Sequence, residues 1–84
     1  MPKITLYGTR FCPFCIRARQ LLEDKGVDFE DISVDQDAEQ RLIMRERSGR
    51  TSVPQIFVDD HHVGGCDELY ALERNGELDQ LLKQ

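Results

Sequence analysis

Two cysteines three residues apart, in the run Cys12-Pro13-Phe14-Cys15, stand where an alternating apolar segment gives way to a helical pattern. That junction constrains the chain more than any other feature. Before it, Lys3 to Tyr7 alternates with Ile4 and Leu6 on one face, the period of a strand, and Gly8-Thr9-Arg10-Phe11 makes a short loop. After it, Ile16, Ala18, Leu21 and Leu22 recur at helical spacing, and Gly26 is placed to end that helix in a left-handed conformation. Val27, Phe29, Ile32 and Val34 predict a second strand, with a slip of alternation at Glu30-Asp31 that asks for a bend or bulge. Strand, helix and strand in this order make a right-handed crossover between parallel strands.

The remainder follows the same logic. Asp37 followed by Gln40 fits the start of a helix in which Leu42 and Ile43 supply the buried face, ending near Ser48-Gly49. Val53 to Val58 is strand-like, Asp59-Asp60-His61 marks a tight turn, and His62-Val63 begins a short partner strand that closes at Gly64-Gly65. A helix from about Asp67 to Arg74 turns Leu69 and Leu72 inward and ends at Asn75-Gly76, and Leu78, Leu81 and Leu82 give a short terminal helix. The expected architecture is α/β, in the order βαβαββα plus a last helical piece, with a four-stranded mixed sheet flanked by helices. At 84 residues the expectation is one domain, 1–84, with a single small core.

Charge narrows the function. A net charge of −5 argues against a nucleic-acid binder, whose affinity comes largely from neutralising phosphates. The charges are segregated: Asp28, Glu30, Asp31, Asp35, Asp37 and Glu39 form an acidic block, and Arg41, Arg45, Arg47 and Arg50 a basic one directly after it. A basic patch on an acidic protein suits a small anionic ligand, although solvated helix faces account for most such runs. No apolar run approaches the ~20 residues of a membrane span, and the first residues carry no apolar signal region, so a cytoplasmic protein is expected. Three cysteines are an odd number, unlike a disulfide-stapled secreted scaffold, which leaves redox catalysis or metal binding.

The thiolate is the form that attacks a disulfide, so a redox cysteine needs its ionised form stabilised. If Pro13 opens the helix, the Cys12 sulfur lies beside unpaired N–H groups and the positive end of the helix dipole, and Arg10 adds a nearby charge. Cys15 lies one turn further in, on the same side and shielded. The first thiol is expected to attack and the second to resolve. Against this stands a zinc site of Cys12, Cys15, His61 or His62, and Cys66, whose spacing lacks the paired short knuckles of structural zinc, so no metal is expected. His61 and His62 fit exposed turn residues, and Cys66 fits a partly buried free thiol, with a reactive thiol at a helix start as the alternative. The Val53-Pro54 bond admits either isomer; a cis bond turns the Val53 backbone outward to pair with an extended peptide, and a trans bond merely starts an edge strand.

With these pieces in place the chain resembles the glutaredoxin family, in its small dithiol bacterial type. The resemblance rests on Cys12-Pro13-Phe14-Cys15 after the first strand, on Thr51-Ser52-Val53-Pro54-Gln55-Ile56-Phe57, and on Gly64-Gly65-Cys66-Asp67-Glu68-Leu69, and it covers nearly the whole length. It implies a thioredoxin-like fold with Pro54 cis, and a glutathione-dependent thiol-disulfide oxidoreductase with glutathione as cosubstrate. Cys12 would be the nucleophile and Cys15 the resolving thiol. Glutathione contacts would fall to Arg10, Phe14, Thr51, Val53, Pro54, Gly65, Cys66 and Asp67: the Val53 backbone on its cysteinyl part, and Gly65, Cys66 and Asp67 on its γ-glutamyl end. Implied partners are glutathionylated or disulfide-containing proteins, ribonucleotide reductase among them, met by a monomer. The chain departs from the family in having Thr9 where Lys or Arg is common, Phe14 for the more usual Tyr, and Ser52 for Thr. A redoxin reduced by a flavoprotein reductase, and an iron–sulfur carrier bridging a cluster through Cys12 of two chains, are the competing readings; Pro13 counts against the second.

Overall fold

The segment Ile4–Gly8 is buried along its entire length and forms the inner strand β1, as a strand with covered faces must. The computed structural model, which describes residues 2–83, pairs β1 in parallel with β2 (Glu30–Ser33) and antiparallel with β3 (Gln55–Val58). The strand β4 (His61–Gly64) pairs antiparallel with β3, and the sheet runs β2-β1-β3-β4. Five-residue β1 and four-residue β3 therefore hold the centre, and the edges fall to β2 and β4.

Alternation along the inner strands sorts the core into two halves. Ile4 and Leu6 of β1 and Ile56 and Val58 of β3 face one way, against α1 (Pro13–Asp24), α3 (Cys66–Arg74) and α4 (Leu78–Leu82), which supply Ala18, Leu21, Leu22, Leu69, Leu78 and Leu82. Tyr7 and Phe57 face the other way, against Met44 of α2 (Ala38–Ser48) and Val34. The helices thus cover both faces of a mixed sheet, as the sequence predicts. Among the described residues no helix is long and apolar enough to cross a membrane.

Three local expectations give way to different packing. Ile16 is 51% exposed, and Cys15 takes its place on the buried face of α1 with Ala18, Leu21 and Leu22. In α2, Leu42 is 44% exposed and Ile43 only half-buried, while Met44 is the fully buried residue; the flexible thioether reaches into the narrow cluster under Phe57. At Glu30-Asp31 there is no bulge, because β2 begins at Glu30 and pairs with β1 in regular register. The broken alternation has another cause: Val27 and Phe29 pack on the α1 side, and Ile32 and Val34 on the α2 side. The register irregularity lies instead between Ile56 and Phe57, so that Ile56 faces Gly64 and Phe57 faces His62.

Helix ends obey the sequence closely. Asp37 caps α2, its carboxylate accepting the Gln40 N–H at 3.0 Å, and Gly49 closes it in the left-handed region with φ 72°. Pro13 is the first residue of α1, where its missing N–H costs nothing.

Candidate active site

Pro13 leaves Cys12 as the residue flanking α1, in extended conformation with no side-chain cap of its own. The free N–H groups of the first turn are therefore available to the Cys12 sulfur. Burial works against ionisation and is the largest single influence there, yet the N–H groups of Cys15 and Phe14, the Cys15 thiol and the Arg19 guanidinium together outweigh it and hold the Cys12 thiol below its ordinary pKa. Cys15 has no exposure to solvent, and burial pushes its pKa up, although the Thr9 N–H donates to its Sγ at 3.5 Å. One thiol is activated and partly exposed; the other is buried and protonated.

The cation beside Cys12 is Arg19, not Arg10. Arg10 turns to Asp35, with its Nε 3.2 Å from the carboxylate, whereas Arg19 packs along α1, donating to the Thr9 carbonyl at 3.0 Å and pairing with Asp31 at 2.8 Å. The helical repeat that places Arg19 one turn beyond Cys15 was the available signal.

Beside α1 lies an open groove of about 220 Å³, lined by Phe14, Arg50, Ser52, Val53, Pro54, Gly65, Cys66, Asp67 and Glu68. It is an open surface groove and not an enclosed cavity. Its two walls come from segments distant in sequence. One is the Ser52-Val53-Pro54 segment ahead of β3, with the Val53-Pro54 bond cis. The other is the β4–α3 junction, and glycine lets the two meet: a Cβ on Gly65 would stand 3.2 Å from the Pro54 carbonyl oxygen. Gly64 adopts φ 120°, where an added Cβ would press to 2.6 Å from Glu68 Oε1. That same Glu68 oxygen accepts the Gly65 N–H at 2.6 Å and the Arg50 guanidinium at 3.1 Å.

Of the residues the sequence singles out for ligand contact, Phe14, Val53, Pro54, Gly65, Cys66 and Asp67 line this groove, and Arg10 and Thr51 do not. Thr51 is exposed just ahead of it. The basic block separates as well. Arg41 donates to the Val34 carbonyl, and Arg47 lies 4.1 Å over the Phe57 ring and donates to the Tyr7 hydroxyl at 2.8 Å. Arg50 alone of the four lines the groove. Asp67 makes no ion pair among the described residues. The groove therefore offers a cation at one place, an unpaired carboxylate at another, and the N-terminus of α3 between them.

Cys66 is buried, and burial raises its pKa, so the third cysteine is an unactivated thiol despite its helix-start position. His61 is exposed, but His62 is not an exposed turn residue: it stacks on Phe57 with ring centroids 4.9 Å apart, and burial lowers its pKa. Among the described residues no three His, Cys, Asp or Glu side chains gather in a metal-holding arrangement. The cysteines titrate in a definite order as a result. Alkylation by iodoacetamide, mapped by mass spectrometry as the pH is raised, reaches half its maximal rate at Cys12 at a lower pH than at Cys66. The sign follows from a pKa lowered at the one and raised at the other; equal midpoints would remove the case for an activated Cys12.

The chain is similar to known proteins over nearly its whole length. The family model described as Glutaredoxin matches residues 4–63. The chain is 54% identical over 82 residues to a glutaredoxin of Pseudomonas aeruginosa, covering 98% of each chain. It is 52% identical over 83 residues to glutaredoxin 3 of Escherichia coli K12, covering 99% of this chain and 100% of that one. Among solved structures, a buckwheat glutaredoxin–glutathione complex superposes with a TM-score of 0.88 at 25% identity, over 98% of this chain and 77% of the other.

Proposed function

The chain belongs to the glutaredoxin family, with its thioredoxin-like fold and glutathione-dependent thiol-disulfide oxidoreductase activity, and on that premise we propose how its residues divide the reaction. The Cys12 thiolate attacks the glutathionyl sulfur of a mixed disulfide. A Cys12–glutathione disulfide forms, and the substrate thiolate leaves and takes a proton from water. A glutathione thiolate then attacks the glutathionyl sulfur and expels Cys12 as thiolate, so the substrate's glutathionyl group and the incoming glutathione leave together as glutathione disulfide. The lowered pKa of Cys12 serves both steps, since it populates the attacking form and makes a better leaving group. With a protein disulfide the first product is a Cys12–protein disulfide. Cys15 then loses its proton and attacks the Cys12 sulfur, forming the Cys12–Cys15 disulfide and freeing the reduced protein, and two glutathiones reduce that disulfide and leave as glutathione disulfide.

The observation that carries this reading is an activated thiol at the α1 N-terminus beside an open groove lined by a cation, an unpaired carboxylate and the start of α3. In the groove, the Val53 backbone pairs with the cysteinyl part of glutathione, the α3 N-terminus takes the γ-glutamyl carboxylate, and Asp67 takes the ammonium. Arg50 is the cation for the glycine carboxylate, already held by Glu68 at the groove. The chain acts as a monomer of one domain over residues 1–84, of which residues 1 and 84 lie outside the described structure. Three free cysteines suit the cytoplasm, and disulfide-containing proteins, ribonucleotide reductase among them, are the partner class.

The test is steady-state turnover of a glutathione mixed disulfide, with reducing equivalents delivered in one arm by glutathione and its reductase and in the other by a flavoprotein thioredoxin reductase. Turnover is expected in the first arm only. Asp67→Asn, which keeps the shape and removes the charge, should raise KM for the mixed disulfide by about 10-fold or more with kcat little changed. Turnover in the second arm alone would replace glutathione with the flavoprotein as electron donor.

A further inference from the structure

A chain of polar side chains with buried Gln55 at its centre runs from β4 to the groove. The Gln55 side chain has no exposure to solvent, and its Nε2 donates to the Ser52 carbonyl at 3.0 Å and to the Ser52 hydroxyl at 3.3 Å. A carbonyl oxygen only accepts, so the amide nitrogen must face Ser52 and the amide oxygen must face away. That oxygen, Oε1, lies 2.7 Å from His62 Nε2 and can only accept, so Nε2 carries a proton and donates. His62 is aimed there by two features already described. The register shift in β3–β4 sets it opposite Phe57, and stacking on that ring fixes its plane. No buried polar side-chain atom among the described residues lacks a partner, so the chain is complete as it stands.

Ser52, Val53 and Pro54 form one wall of the groove, and Gln55 begins β3 directly behind them. We propose that His62, which lines no part of the groove, is a positioning residue for glutathione: by donating to Gln55 it fixes the amide that holds Ser52, and so sets the wall on which Val53 presents its backbone. The inference rests on the glutathione reading of this groove. Without the histidine donor a buried amide oxygen is left unpaired, and the amide is held by its Ser52 bonds alone. Ser52 is then held less firmly, while Cys12, on α1, keeps its surroundings.

Three substitutions separate the hydrogen bond from the packing. H62F keeps a ring on Phe57 and removes the donor; H62Q removes the ring and carries an amide nitrogen to about the Nε2 position; H62N stops one methylene short. The expected result for H62F is a KM for the glutathione mixed disulfide raised about tenfold, kcat within about twofold of the unsubstituted enzyme, and an unchanged rate of Cys12 alkylation by iodoacetamide. H62Q restores KM to within about twofold, and H62N resembles H62F, so the H62Q–H62N comparison decides the matter if H62F does not fold. Independently of activity, the Gln55 side-chain amide protons are expected to exchange slowly in the unsubstituted protein and in H62Q, and to lose that protection in H62F and H62N. An unchanged KM in H62F, an H62Q variant as impaired as H62N, or equal Gln55 protection throughout overturns the proposal. Absence of any glutathione-dependent turnover in the unsubstituted protein overturns the function reading instead, and leaves the Gln55 exchange measurement to decide on the hydrogen-bonded chain.

Discussion

Replacing Cys12 by serine is expected to reduce turnover of a glutathione mixed disulfide to less than about a thousandth of the unsubstituted rate, down to the uncatalysed exchange between thiols. An alcohol is not ionised near neutral pH, so the N–H groups of Phe14 and Cys15 and the Arg19 guanidinium, which favour a negative sulfur, have nothing to stabilise. Cys15 cannot substitute for it, being fully buried with its pKa raised. Cys15→Ser should divide the activities: reduction of the mixed disulfide survives within about tenfold, because the second glutathione attacks from solvent, while reduction of a protein disulfide through the resolving step is lost. The coupled assay with glutathione and its reductase, run on each variant with a mixed disulfide and with a protein disulfide, measures both. Residual mixed-disulfide turnover in Cys12→Ser well above the protein-free rate would show that another thiol is the nucleophile.

The contrast in burial and ionisation between the two thiols was legible in the sequence because it depends on local rules. Pro13 fixes the helix start, the helix start fixes the environment of Cys12, and three residues of helix bury Cys15. The strands, the hairpin and the caps at Asp37 and Gly49 were legible for the same reason. What was hidden depends on partners far along the chain. Whether Arg10 or Arg19 serves Cys12 is decided by Asp35, which holds Arg10 elsewhere. Arg50 stands apart from its neighbours only because Glu68, eighteen residues on, sits across the groove. Met44 displaces Leu42 from the core because the cluster on the α2 face is narrow, and no periodicity within α2 reports that. His62 looks like a turn residue until the register shift in β3–β4 places it over Phe57. Sheet register is a pairwise property, and a single strand does not encode a slip in its partner.

The same narrowness makes Phe57→Ala the most damaging core substitution to expect. Phe57 is 1% exposed and sits in a small cluster with buried Tyr7, Val34 and Met44, against which half-buried Ile32, Ile43 and Val53 pack. Its ring meets Tyr7 edge-on at 5.9 Å, stacks on His62 at 4.9 Å and carries the Arg47 guanidinium at 4.1 Å. Truncation removes the ring that all three use, and so few neighbours cannot close the void, which places the cost at about 3–5 kcal/mol. A domain of this length has roughly 4–13 kcal/mol in total, so about a quarter of its stability or more is at stake. The urea midpoint should fall by about 2–3 M with the slope of the transition unchanged. The larger cluster on the opposite face, where Leu69, Leu78 and Leu82 close over Leu6 and Ile56, has more side chains available to shift into a vacancy. A loss below about 1 kcal/mol would mean that α2 settles onto the sheet after all, and that the face carrying His62 and Gln55 is softer than its burial implies.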